Sequence, residues 1–183
     1  MKNDNLSIEF VKLKDGKHTI NFEAGKEFFE EFGNEDVKDA TLLITADIDK
    51  SSNWMHVMLF ISGSISQICD RCLVPIPFPI NTKYRLIVKL DGQGETIQDS
   101  EDQETELVYL RASDFKLSIA QQVYESALLA LPMLRNCDDL EIKPCDEAML
   151  SKLEKLQQVS SDSSVEDDGE IDERWLKLKD ILK

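Results

Sequence analysis

Hydrophobic and polar positions alternate along most of the first half of the chain. Leu6, Ile8 and Phe10, then His18, Ile20 and Phe22, flank the polar stretch Lys14-Asp-Gly-Lys17, which predicts a hairpin. Ala40, Leu42, Ile44, Ala46 and Ile48 keep the period of two. After the polar turn Lys50-Ser-Ser-Asn53, a run of β-branched and apolar residues extends from Trp54 to Ile68, and the two segments predict an antiparallel pair. Val74-Pro-Ile-Pro-Phe-Pro79 resumes in extended form. Proline donates no ladder bond, so three at alternate positions predict a sheet edge. Tyr84 to Leu90 and Glu106 to Leu110 predict two further strands.

The period then changes. Gly25 to Phe32 reads as a short amphipathic helix closed by Gly33 and Asn34. Ser118 is placed to cap a helix over Ile119 to Leu131, whose Ile119, Val123, Ala127, Leu128 and Leu131 fall at helical spacing before Pro132 stops it. Asp146 opens another helix through Met149, Leu150, Leu153 and Leu156. The serine-rich, acidic stretch Val159 to Gly169 reads as a disordered tether. A last short helix, capped by Asp172, carries Trp175, Leu178 and Leu182 on one face. The fold class predicted is α+β, with an antiparallel, bent or barrel-like sheet in the N-terminal half and helices in the C-terminal half. The expected organisation is one domain over 1–158, an acidic linker over 159–171 and a C-terminal helix over 172–183.

Length and composition narrow the class. A chain of 183 residues suits one domain or a domain with an appendage, and seven Gly with five Pro exclude collagen-like or Pro/Gly-rich low complexity. The most apolar stretch, Trp54 to Cys69, is too short and too polar to cross a membrane as a helix. The opening residues lead into an alternating pattern and not an apolar leader, which predicts a cytoplasmic protein.

Charge says more. The net charge is −15, and seven carboxylates between Asp91 and Glu106 plus seven between Ser160 and Glu173 supply nearly all of it. Neither run contains a basic residue. Nucleic-acid affinity depends on clustered Lys and Arg, so direct RNA binding is disfavoured, and the acidic runs fit either solvated loops or a basic protein partner.

Four cysteines stand as two pairs, Cys69 with Cys72 and Cys137 with Cys145. A C-x-x-C turn brings two thiolates to tetrahedral spacing, and a distant second pair completes a four-thiolate zinc site. The alternative is four plain thiols: the second spacing is wide, and the glycine that usually relieves a zinc knuckle is missing. Thiol-redox chemistry with Cys69 and Cys72 wants a helix after the pair, where this chain has a proline-rich extended segment.

No nucleophile elbow, phosphate-binding glycine loop or H-E-x-x-H motif occurs, and His18 and His56 have no partner motif near them. The expected class is therefore a non-enzyme. The C-terminal helix is marginal alone in water. It either folds back on its own domain or lies in a partner's groove with Trp175 as anchor beside Arg174 and Leu178.

These features occur in a recognisable order. Cys69-Asp-Arg-Cys-Leu73 follows a long strand, and Ala130-Leu-Pro-Met133 ends a helix. A cysteine comes soon after, and Asp172-x-Arg-Trp-x-x-Leu178 lies near the C-terminus. From Leu6 to Leu182 the chain resembles the YceD-like family, linked to accumulation of large-subunit (23S) ribosomal RNA. Glu173 stands where that family's tail usually has proline, and C-x7-C replaces a tighter cysteine cluster. The resemblance implies a role in ribosome biogenesis without a known catalytic activity. The expected partners are basic ribosomal or assembly proteins or a pre-ribosomal particle, with Arg71, Arg174, Trp175 and Leu178 as contact residues. The alternative is recognition of an RNA loop by Tyr84, Arg85 and Lys89 on one strand, or by Arg71 beside Cys72.

Overall fold

The computed structural model describes residues 6–90, 105–111, 113–137 and 145–162. Its centre is an open, mixed sheet of five strands. β2 (Gly16–Gly25), β3 (Asp39–Lys50), β4 (Trp54–Ile68) and β5 (Pro75–Lys89) pair antiparallel in chain order. β6 (Thr105–Tyr109) ends the row, parallel to β5. The alternation of side chains sorts the two faces. Ala40, Leu42, Ile44, Ala46 and Ile48 of β3 point inward with Met55, Val57, Leu59, Ile61 and Ile65 of β4, all buried. They share one apolar cluster with Phe28 and Phe29 of α1 (Lys26–Glu31) and with Val123 and Ala127 of α2 (Ala120–Leu129). Each fully buried side chain of this size stabilises the fold by roughly 1.5–3 kcal/mol. Helices α1 and α2 thus cover one face of the sheet, and the outward residues of β3 and β4 stay largely exposed.

One inward position on β4 carries no side chain. Gly63 has φ +146, and a Cβ there would stand 2.0 Å from the Thr41 carbonyl oxygen of β3. Only glycine tolerates this backbone and this approach.

By internal contact the chain forms two compact units, Met1–Pro144 and Cys145–Lys183. The second contains α3 (Glu147–Asp162), which Asp146 caps by accepting the Ala148 N–H at 2.9 Å and the Met149 N–H at 3.2 Å. No helix among the described residues is long and apolar enough to cross a membrane.

The α+β class holds, with several differences of detail. Of the shapes expected for the sheet, it takes neither a closed barrel nor a wholly antiparallel form, because β6 joins with parallel register. The expected hairpin about Lys14–Lys17 does not form. Ser7–Ile8 (β1) pairs with Leu117–Ser118 (β7), Phe10–Lys12 is a 3-10 turn, and β2 pairs with β3 instead. Ser118 is consequently in a ladder, and α2 starts after Ile119 without a side-chain cap. The proline segment and Tyr84–Leu90 merge into one strand, β5. Its prolines lie on the stretch that has β4 on one side and no β6 pairing on the other. The helix expected to end before the tether runs on to Asp162.

Candidate metal centre

β4 and β5 are joined by the turn that holds the first cysteine pair. Cys69 continues the inward row of β4, past Ile65 and Gln67, and is therefore buried. The Leu73 N–H donates to the Cys69 carbonyl at 3.1 Å, and the Cys69 N–H donates to the Val74 carbonyl at 2.9 Å. The turn closes through Leu73, whose φ of 64 makes it the one non-glycine residue with positive φ among those described. A left-handed Leu costs about 1–2 kcal/mol relative to an unstrained backbone. Leu73 thus occupies the conformation that glycine takes in a zinc knuckle.

The third thiol arrives from the loop after α2. Arg135 fastens that loop to the turn. Its backbone N–H donates to Asp70 Oδ2 at 2.8 Å, and its carbonyl accepts the Asp70 N–H at 2.8 Å. The Arg135 guanidinium donates to Asp70 Oδ1 at 2.9 Å and to Gln67 Oε1 at 2.7 Å. The Arg135 backbone N–H first, and its guanidinium second, hold the Asp70 carboxyl below its ordinary range. Two residues further on, Cys137 meets the turn with its Sγ 3.2 Å from Cys72 Sγ.

The Sγ atoms of Cys69, Cys72 and Cys137 all lie within 4.8 Å of one another, and the residues are 0%, 2% and 0% exposed. Tetrahedral zinc with bonds near 2.3 Å needs sulfurs about 3.8 Å apart, so this spacing suits a metal after small adjustments. Donors already surround Cys69. Burial pushes its thiol up, but the backbone N–H groups of Cys72 and Arg71 and the Cys137 thiol outweigh it and bring it down to about 6. The Arg71 N–H lies 3.4 Å from Cys69 Sγ. A buried cluster of three thiols, one of them readily ionised, can hold a metal ion.

The four cysteines are not in disulfides. Cys69, Cys72 and Cys137 are buried, whereas disulfide exchange needs an external sulfur to reach the attacked one. The shortest thiol contact is also between Cys72 and Cys137, not within the Cys69/Cys72 pair.

Other expected residues fall elsewhere. Cys145 begins the second unit, half-buried, just ahead of the Asp146 cap. Arg71 lies half-buried in the cysteine turn. Arg174, Trp175 and Leu178 lie outside the described residues, as do the 163–171 part of the tether and the acidic stretch 91–104. Tyr84 does not share a face with Arg85 and Lys89. It packs against the apolar core, while those two sit on the opposite side of β5. Sequence reasoning missed Asp70, Arg135 and Gln67. The one local signal is that Asp70 follows a cysteine and Arg135 precedes another by two residues.

A family model described as large ribosomal RNA subunit accumulation protein YceD matches residues 57–182, which include all four cysteines and more than half of the chain. The chain belongs to the YceD family. The match opens within β4, so β1, β2, α1 and β3 precede it. No curated protein and no solved structure matches the chain. The family's name attaches the chain to ribosomal RNA accumulation, and it names no reaction.

Proposed function

We propose that this protein is a non-enzymatic, cytoplasmic accessory factor in ribosome biogenesis that supports large-subunit RNA accumulation by binding. The match to the YceD family over residues 57–182 carries this reading. In it, the acidic runs 91–106 and 160–173 hold basic ribosomal or assembly proteins, and Arg174, Trp175 and Leu178 anchor the C-terminal helix on the partner. The cysteines form a structural zinc centre. Cys69, Cys72 and Cys137 supply three thiolates, and Cys145 is the fourth donor that a closed site requires. Zinc here would pin the β4–β5 turn to the loop after α2 and would supply no chemistry of its own.

Co-sedimentation of the full chain with pre-ribosomal large-subunit particles tests the proposal. Salt-sensitive association that weakens when the acidic runs are changed to Asn and Gln is the expected result. Protein that stays at the top of the gradient at low salt overturns it. A second reading, recognition of single-stranded RNA, draws support from the sheet face opposite α1 and α2, which is largely exposed among the described residues.

A further inference from the structure

The face of the sheet turned away from α1 and α2 has a chemistry of its own. Register places its outward residues in rows across β4, β5 and β6. Trp54, Lys89 and Tyr109 form one row, His56, Ile87 and Leu107 the next, then Met58 with Arg85 and Phe60 with Lys83. Trp54 is 41% exposed and Phe60 44%, and Lys83 and Arg85 are exposed beside them. Lys89 Nζ lies 5.7 Å from the Trp54 ring centroid and 5.4 Å from that of Tyr109, so cation and rings share one end of the face. Trp54 and Phe60 are six residues apart on one strand, about 20 Å. Large apolar and aromatic side chains gathered on a solvent-facing sheet mark an interaction surface.

Charge indicates the partner. About one residue in five of this chain is Asp or Glu, yet β4 and β5, 15 residues each, contain none. The neighbouring β3 turns Asp39, Asp47 and Asp49 outward on the same face. Acidity is thus abundant on the outward side of β3 and missing from β4 and β5, where Lys83, Arg85 and Lys89 stand in line. In a chain of net charge −15, a basic strip interleaved with exposed rings suits a polyanion that also presents flat apolar faces. Single-stranded nucleic acid has both properties: phosphates meet the cations, and bases stack on the rings. A duplex hides its bases and offers the rings nothing.

We propose that the β4–β5–β6 face is a binding platform for single-stranded RNA, with Trp54 and Phe60 as stacking positions and Lys83 and Arg85 as phosphate contacts. The choice of RNA rests on the ribosome-related reading above; the placement of the surface does not. The platform differs from the RNA site expected from sequence. Arg85 and Lys89 remain in it, Tyr84 leaves it, and the aromatic members come from β4 and β6.

The test is fluorescence anisotropy of a labelled single-stranded RNA of about 12 nucleotides with the full chain at low salt. The expected result is saturable binding, with the same sequence as a duplex binding more weakly. Trp54→Ala and Phe60→Ala each weaken the single strand about tenfold. Lys83→Gln and Arg85→Gln each lower the slope of log affinity against log salt by about 0.7. Asn21→Ala, on the outward side of β2 in the acidic half, leaves affinity unchanged. Should an aromatic variant lose its fold by circular dichroism, the two exposed cation variants still decide the matter. No binding at about 100 µM protein overturns the platform. So does equal affinity for the duplex, or a labelled polyglutamate peptide bound as tightly and insensitive to Trp54→Ala. Loss of RNA binding with particle association retained would remove the platform and leave the ribosomal reading standing; loss of both would sink both.

Discussion

The two turns at the ends of β4 solve the same problem with different means. Both reverse the chain between long antiparallel strands. At the β3–β4 end, the Ser51 N–H donates to the Trp54 carbonyl at 2.8 Å, its hydroxyl reaches the same oxygen at 3.1 Å, and residues 51–53 are exposed. Two contacts reach it from afar, the Leu90 N–H donating to the Asn53 carbonyl at 2.9 Å and the Ser52 hydroxyl to Asp15 Oδ2 at 3.4 Å, yet no side chain of residues 51–53 is buried. At the β4–β5 end, the turn buries two thiols, holds Leu73 left-handed and is gripped by Arg135, 65 residues from Asp70. A turn whose side chains stay exposed is made without positive φ. A turn that must present side chains inward takes on local strain and depends on long-range contacts to hold it.

The largest expected difference between the two ends comes from removing a thiol. Cys72→Ser or Cys137→Ser should lower unfolding free energy by about 3 kcal/mol or more in the metal-loaded protein. Ser51→Ala at the other end should stay within about 0.5 kcal/mol. Urea denaturation of each variant checks the contrast, and similar losses at both ends would erase it.

Between the turns, Gly63→Ala should cost about 2–3 kcal/mol, because the added methyl meets the Thr41 carbonyl and φ is positive. A thermal scan would read this as a loss shared by the whole sheet and not confined to one end.

Arg135→Ala should cost about 1–2 kcal/mol, since it leaves the buried Gln67 without its donor. It should also change the acid limb of stability. Asp70 has a lowered pKa in the folded protein, so its contribution is present above the unfolded carboxyl value near 3.9 and is lost as pH falls through the lower folded value. In Arg135→Ala that acid-dependent part should shrink but persist, because the backbone N–H of residue 135, its larger source, remains; urea unfolding at a series of acidic pH values measures it.

Smaller again at the cysteine turn is Leu73→Gly. Relief of the left-handed strain, about 1–2 kcal/mol, is offset by glycine's larger unfolded-state entropy, about 0.5–1 kcal/mol. The net effect should be neutral to about 1 kcal/mol stabilising, whereas Leu73→Val should destabilise by more than 1 kcal/mol (roughly) because β-branching tolerates positive φ least. A destabilising Leu73→Gly would show that the exposed Leu73 side chain contributes contacts beyond the turn.

The same contrast separates what was legible in the sequence from what was not. The β3–β4 pair and its turn are written locally, in the alternation of Ala40 to Ile48 and the polar Lys50–Asn53, and the structure follows them. Helix α1, with Gly33 past its end at φ +75, was legible for the same reason. The cysteine centre was legible only as residue types: C-x-x-C announces two donors, and nothing local says that Cys137 joins them. That meeting depends on Asp70 and Arg135, whose spacing carries no periodic signal. Leu6, Ile8 and Phe10 misled because a two-residue strand followed by a 3-10 turn shows the same alternation as a longer strand. Tyr84 misled because facing depends on strand phase, and one position along β5 moves a side chain to the other side. The direction of β6 was illegible, since an apolar pattern reads the same in parallel and antiparallel register.

The most direct test of the cysteine turn as a metal centre is the zinc content of full-length protein purified without chelator, paired with a thiol titration under native conditions. One zinc per chain, with Cys69, Cys72, Cys137 and Cys145 all unreactive until a chelator is added, is the result predicted. Protein without metal and with four freely titrating thiols would contradict it.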